Sequence, residues 1–306
     1  MVLARRAVLV VLNPVSGRAE AAELAQPLER ALREMGAGRI VVRLTDAIGD
    51  AVCWAREAGA EGFDVLLVGG GDGTVAAAAT GVLEGGADLP IGILPTGTGN
   101  GLARMLRLPN DPLKAVHALH AGRPVRIDAV EVPSHDRIAL VFVGAGLDAE
   151  VNRDADAASK RRFGTLAYAA ATVRNLVGRR SQRLTLTLDD RREQLAGHAV
   201  SVFNAGIIEI AGIEFGPPAN PHDGRLDVAV FRSPGFAAAA GQVLRLLIGR
   251  PKRAELEGAA HVHLEADPPM PVHVDGDVVG STPLEARVRP AALRFLADAS
   301  YPPVDR

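Results

Sequence analysis

Along the first third of the chain, short unbroken apolar runs alternate with stretches whose apolar positions recur every three or four residues. The runs are AVLVVL (7–12), RIVVRL (39–44), FDVLLVG (63–69) and PIGILP (90–95). Unbroken runs of this length suit strands buried on both faces. Between them, residues 19–36 place Leu24, Leu28, Ala31, Leu32 and Met35 on one helical face, closed by Gly36. Residues 49–60 and 73–86 are the next helical stretches. Strand and helix in strict alternation predict a parallel, doubly wound α/β sheet with right-handed crossovers.

The texture changes near Arg126. RIDAVEV, RIALVFVGAG, RLTLTLDD, HAVSVFNAG, RLDVAVFR, HVHLEA, PVHVDGD and ARVRPAALRFLA alternate apolar and polar positions, with turn residues between them. Period-two alternation at short intervals predicts antiparallel β structure. Two helical stretches interrupt it, at 162–177 and 235–248. The expected organisation is an α/β domain over residues 1–127, to which the tail 292–306 returns, and a β-rich sandwich domain over 128–291.

Composition narrows the functional classes. Lys and Arg number 34 against 36 Asp and Glu, a net charge of −2, so the chain lacks the global basic field of a nucleic-acid binder. The single cysteine, Cys53, beside Trp54, rules out an internal disulfide and fits a reducing cytoplasm; it is expected to pack within a helix. The apolar run 7–12 is too short for a signal peptide and reads as a first strand. No window approaches the roughly 18 apolar residues of a membrane span.

Three loops fall at the carboxyl ends of the predicted parallel strands, where open α/β sheets bind ligands. They are Asn13-Pro14-Val15-Ser16-Gly17-Arg18, Gly69-Gly70-Gly71-Asp72-Gly73-Thr74 and Pro95-Thr96-Gly97-Thr98-Gly99-Asn100. Backbone N–H groups and hydroxyls at such places bind phosphate oxygens. One loop of this kind is an ordinary tight turn; three at one edge favour a nucleotide site. Neither GxGxxG nor GxxxxGK[ST] is present, which disfavours a dinucleotide dehydrogenase and a P-loop NTPase.

NPVSG, GGGDGTV and LPTGTGNGLAR, in this order, resemble the diacylglycerol kinase catalytic family, which includes bacterial lipid kinases and is related to sphingosine and ceramide kinases. VFVGAGLDAEV, GTLAYAAATVRNL, NPHDGRLDVAVF and VHVDGD extend the resemblance over nearly the whole chain. It implies ATP bound between two domains, and phosphate transfer to a lipid hydroxyl. It implies nucleotide contacts from Asn13, Ser16, Gly17, Arg18, Thr45, Gly69, Gly70, Gly71, Asp72, Gly73, Thr74, Thr98 and Asn100. A carboxylate beside a triphosphate is tolerable when Mg²⁺ neutralises it, which gives Asp72 a reason. Asp275 is the implied general base; from its residues alone, Asp275-Gly276 reads as a plain hairpin turn. A metal site is implied at Asp223, with Asn220 and Arg225 contributing backbone oxygens, Asp227 joining through water, and Asp277 in the metal network. The family's Asp-Gly-Glu is here Asp-Gly-Asp, one methylene shorter at Asp277.

Two departures stand out. Ala76 and Ala77 replace an Asn-Glu pair common in relatives, and Gly101 replaces an Asp. They keep open a non-catalytic nucleotide- or lipid-binding protein. An NAD kinase-like phosphotransferase shares GGDGT, but GTLAYAAATV does not continue in the NAD kinase manner. From Lys160 to Arg183 there are seven cations and no Asp or Glu. With the resemblance, this suits peripheral contact with an anionic inner membrane face; alone it reads equally as a solvated helix. An exposed edge strand in the β domain offers pairing with a second copy.

Overall fold

In the computed structural model the described residues are 1–15, 21–97, 99–146, 181–206, 208–210, 213–215, 219–232, 241 and 257–303. The helical stretches expected at 162–177 and 235–248 lie outside them, apart from Gly241. So does most of the basic segment, of which only Ser181, Gln182 and Arg183 are described. The chain divides into two compact units, Met1–Ile127 with Ala291–Arg306, and Asp128–Pro290.

The first unit opens with β1 (Ala7–Leu12), α1 (Ala21–Glu34), β2 (Arg39–Leu44), α2 (Ile48–Ala58), β3 (Val65–Gly70), α3 (Asp72–Gly85), β4 (Ile91–Pro95), α4 (Gly101–Met105) and α5 (Pro112–Ala121). β1 lies between β2 and β3, and β4 follows β3, all parallel. Val8 to Leu12 and Leu66 to Val68 are wholly buried, as the unbroken apolar runs require. Each such side chain contributes about 1.5–3 kcal/mol relative to exposure. α2 begins where Asp50 turns back and accepts the N–H groups of Asp46 and Ala47 at 2.8 and 2.9 Å. α3 lies directly on α2, because Gly81 and Gly85 present bare backbone to the carbonyls of Val52 and Arg56, which a Cβ at either position would strike. Cys53 does sit in α2, but on its exposed side, 3.6 Å from the Arg56 guanidinium.

The second unit contains the end of β5 (Arg123–Val132), then β6 (Arg137–Ala139), β7 (Phe142–Ala145), β8 (Gln182–Leu188), β9 (Arg191–Gly197), β10 (Ala199–Phe203), β11 (Ile208–Ile210), β12 (Ile213–Phe215), β13 (Leu226–Phe231), β14 (Glu257–Ala259), β15 (His261–Asp267), β16 (Pro271–Val274), β17 (Asp277–Ser281) and the start of β18 (Leu284–Ala297). One antiparallel sheet runs β14-β13-β10-β7-β16-β17. A second layer pairs β9 with β8, β8 with β15, and β15 with the first half of β18. Inward residues of both layers, including Val143, Val202, Val228, Val272, Leu186 and Leu264, form one core. The far end of β18 returns to the first unit and pairs with β4 in parallel, Phe295 against Ile91. RIALVFVGAG, expected as a single strand, is broken at Leu140 and Val141 into β6 and β7.

Candidate functional site

In the first unit the described parts of the three loops are tied to one another by backbone. Asn13 donates its N–H to the Gly69 carbonyl at 2.8 Å and its Nδ2 to Thr74 Oγ1 at 3.1 Å. Asn13 Oδ1 accepts the Val15 N–H, which tightens the first loop. Thr45 is buried and donates its N–H to Leu12 C=O. Thr96 N–H reaches Gly70 C=O at 3.3 Å. A Cβ on Gly97 would fall on the Gly71 backbone, so the second and third loops meet glycine to glycine. Ser16, Gly17, Arg18 and Thr98 lie outside the described residues.

Asp72 opens α3, with Gly71 before it as an N-cap that supplies no side-chain bond. Its Oδ2 accepts the N–H of Gly101, and its Oδ1 that of Leu102, both at 3.0 Å. These are first-turn donors of α4, which its own Ncap side chain does not satisfy. The acid among glycines is therefore the cap of the neighbouring helix, and it pins the third loop to the second. Asn100 takes the left-handed conformation, φ 52°, and donates Nδ2 to Gly97 C=O and Asn110 Oδ1. Its Oδ1 is buried without a hydrogen-bond partner.

In the second unit, Asp275 and Gly276 both have positive φ, 47° and 98°, and turn β16 into β17 with Val274 opposite Asp277. The hairpin expected from the Asp-Gly pair is present, and its side chain does more. Asp275 accepts the N–H of Leu140 at 2.8 Å on Oδ2, and those of Val141 and Phe142 at 2.9 Å on Oδ1. These bonds take the donors a continuous β6–β7 strand would have used, which is why the expected strand is broken. The alternating pattern shows apolar periodicity and cannot show this competition.

Around Asp223, Asn220 Oδ1 accepts the His222 N–H, and Asp223 Oδ1 accepts the Arg225 N–H. Arg225 donates to Gly258 C=O and stands 3.9 Å from Asp189. Burial, and then the charge of Asp223, push the Asp227 carboxyl above the ordinary range, with Arg225 opposing. Asp223, Asp227 and Asp277 do not form a three-carboxylate cluster; among the described residues no group of three or more His, Cys, Asp or Glu is placed to hold a metal ion. In the first unit, this donor set suits a hard cation that arrives on phosphate oxygens and takes a single carboxylate. It does not supply an all-protein cage.

Sequence reasoning did not single out Asn204, which is wholly buried just after β10. Its Nδ2 donates to the carbonyls of Asp128 and Leu140. A polar amide closing an alternating strand was the available signal. His261, on β15, pairs with Glu285 at 3.1 Å. His120 is buried on α5, and burial lowers its pKa first, then the chain's amino terminus and His117.

An α/β unit with interlocked glycine-rich loops at its strand ends, followed by an antiparallel two-layer β unit, defines the class of protein. The profile of the diacylglycerol kinase catalytic domain matches residues 7–132, and that of the YegS C-terminal NAD kinase beta sandwich-like domain matches residues 141–297. The chain belongs to the diacylglycerol kinase catalytic family. It is 27% identical over 265 residues to "Putative lipid kinase SAR0780" of Staphylococcus aureus (strain MRSA252), covering 83% of this chain and 85% of that one. Two solved structures share the fold, both from Bacillus anthracis str. Sterne. One, titled "a putative diacylglycerol kinase", has a TM-score of 0.81 at 22% identity, covering 97% and 98% of the two chains. The other, titled as a diacylglycerol kinase, has a TM-score of 0.79 at 23% identity, covering 96% and 97%. Among the described residues no helix is long and apolar enough to cross a membrane.

Proposed function

We propose that this protein is an ATP-dependent lipid kinase that transfers the γ-phosphate to a lipid hydroxyl. The observation that carries the reading is the bond pair from Asp72 to Gly101 and Leu102, which joins two glycine-rich loops into one backbone cradle. Such a cradle suits triphosphate oxygens, since the N-terminus of α3 receives no side-chain cap and backbone can approach closely. Asn13, Thr45, Gly69 to Thr74 and Asn100 are the described residues assigned to nucleotide; Ser16, Gly17, Arg18 and Thr98 complete the set by resemblance. Mg²⁺, when bound, would neutralise charge on the phosphates, with Asp72 as its nearest assigned carboxylate. Asp275 is assigned as the general base toward the acceptor hydroxyl, oriented by the three N–H groups it accepts. Asp223, Asn220 and Arg225 are assigned to a second, structural cation, and Asp277 to the metal network. The basic segment from Lys160 to Arg183 would meet an anionic inner membrane face.

The test is transfer of labelled γ-phosphate from ATP to diacylglycerol, sphingoid base, ceramide and isoprenoid alcohol in mixed micelles with Mg²⁺. A phosphorylated lipid is expected with the native protein, and Asp275→Asn is expected to lower the rate by about 10²–10⁴-fold. ATP binding without transfer to any lipid would favour a binding protein disabled at Ala76, Ala77 and Gly101.

A further inference from the structure

The segment 140–142 links β6 to β7, and its backbone groups are held from two directions. Asp275 accepts all three of its N–H groups and donates its own N–H to Phe142 C=O at 2.9 Å. From the other side, Asn204 Nδ2 donates to Leu140 C=O at 2.8 Å, while the Asn204 and Ala205 N–H groups donate to Val141 C=O at 2.8 and 3.1 Å. The second Nδ2 hydrogen meets Asp128 C=O at 2.9 Å, which anchors Asn204 to β5. Asp128 is itself fixed, because its carboxylate accepts the Gly224 N–H and its N–H meets Pro221 C=O.

The amide orientation of Asn204 follows from this chemistry. Two carbonyl oxygens face the same side-chain atom, so that atom must be the NH₂ group; the reverse orientation would set oxygen against oxygen. The other side-chain atom, Oδ1, is buried and accepts no hydrogen bond. A buried amide with an unmet acceptor is unfavourable by itself. What it supplies in return is a double donor that no apolar residue of similar size can replace.

We infer that Asn204 is a positioning residue for Asp275, acting through the backbone of residues 140–142. This rests on the assignment of Asp275 as the base. Without the two Nδ2 bonds the segment loses its side-chain tie to Asp128, though the β5–β6 ladder still holds Ala139 before it, and the donors that aim the Asp275 carboxylate shift with it. A displacement of about 1 Å at a reacting group can lower a rate about 10²-fold. The nucleotide loops lie in the other unit and share none of these bonds, so affinity for ATP stays as it was.

The test uses Asn204→Ala and Asn204→Ser in the full chain, with lipid phosphorylation kinetics and amide hydrogen exchange read together. Asn204→Ala is expected to lower kcat by about 10- to 100-fold, with the KM for ATP unchanged. Exchange is expected to quicken at Leu140, Val141 and Phe142 but not at the amides of β8 and β15, in the other layer of the same unit. Asn204→Ser keeps one donor; it is expected to fall between the two, and it serves if the alanine variant does not fold. Unchanged kcat in a folded variant, or exchange quickened equally across the whole β unit, overturns the positioning role while Asp275→Asn remains inactive. Native-like turnover by Asp275→Asn overturns the base assignment, and the inference with it.

Discussion

Asp72-Gly73 and Asp275-Gly276 are two of the Asp-Gly pairs at the proposed sites, and their surroundings differ in instructive ways. Both carboxylates accept consecutive backbone N–H groups from a distant segment: Gly101 and Leu102 for Asp72, and Leu140, Val141 and Phe142 for Asp275. Asp72 stands at a helix start and closes the end of another helix, satisfying donors that would otherwise face water or ligand. Asp275 stands in a left-handed hairpin turn and holds a segment whose first residue, Leu140, is wholly buried. The first acid joins two loops into a cradle; the second fixes one loop and is fixed by it. An acid beside glycine can thus organise backbone before it touches any ligand, and the cost of losing it depends on what water can replace.

That difference sets the largest expected effect on stability. Asp275→Ala strips the acceptor from three N–H groups in a partly buried place, at about 1–3 kcal/mol for each donor left unmet. A total near 4 kcal/mol is expected, since the terms do not add fully. Asp72→Ala removes a helix cap from two N–H groups, and about 1–2 kcal/mol is expected. Urea unfolding of the two variants measures both. If Asp72→Ala cost as much as Asp275→Ala, the contrast between a two-donor cap and a three-donor clamp would fail.

The sequence displayed the apolar periods well and the polar connections poorly. Ala7–Leu12 and Arg39–Leu44 are strands to the residue; the first is an unbroken apolar run and is buried, while the second, expected to be buried on both faces, is the edge strand, with both ends exposed and its middle only partly buried. The glycine loops were legible as a group, since close backbone approach restricts residue choice strongly. What each loop residue bonds to was not legible. That Asp72, expected beside a metal-bound phosphate, also accepts N–H groups 29 and 30 residues away could not be read. The break at Leu140 and the burial of Asn204 depend on partners 135 and 64 residues distant along the chain. No local pattern records a bond of that separation.

A second effect sharpens the account of the cradle in the first unit. At Gly97 a Cβ would strike the Gly71 backbone and approach Asn100 Oδ1. Neither loop can yield without disturbing the Asp72 bonds, so Gly97→Ala is expected to cost about 1–3 kcal/mol. ATP binding, read by calorimetry, is expected to weaken more than stability alone explains. Gly73→Ala is the control, because its added Cβ meets nothing within 4 Å. Equal ATP affinity in both variants would show that close approach at Gly71 and Gly97 is irrelevant to the nucleotide.

The smallest effect belongs to Asp227, and its sign follows from linkage. Its carboxyl is pushed above the ordinary range by burial and by Asp223. A group with a raised folded pKa binds its proton more tightly in the folded protein. The folded state therefore gains as pH falls through that value, and the ionised side chain costs stability at neutral pH. Asp227→Asn removes that charge while keeping the shape. It is expected to raise the melting temperature slightly at pH 7, with the gain shrinking as pH falls into the range where Asp227 takes up its proton. Mg²⁺ provides the decisive arm. A cation held at Asp223 offsets the repulsion between the two acids, so the advantage of Asp227→Asn should diminish as Mg²⁺ is added. An advantage independent of Mg²⁺ would mean that no cation binds beside Asp223. The turn from Asn220 to Arg225 would then be held by the side chains of Asn220, Asp223 and Asp128, as the cradle is held by Asp72.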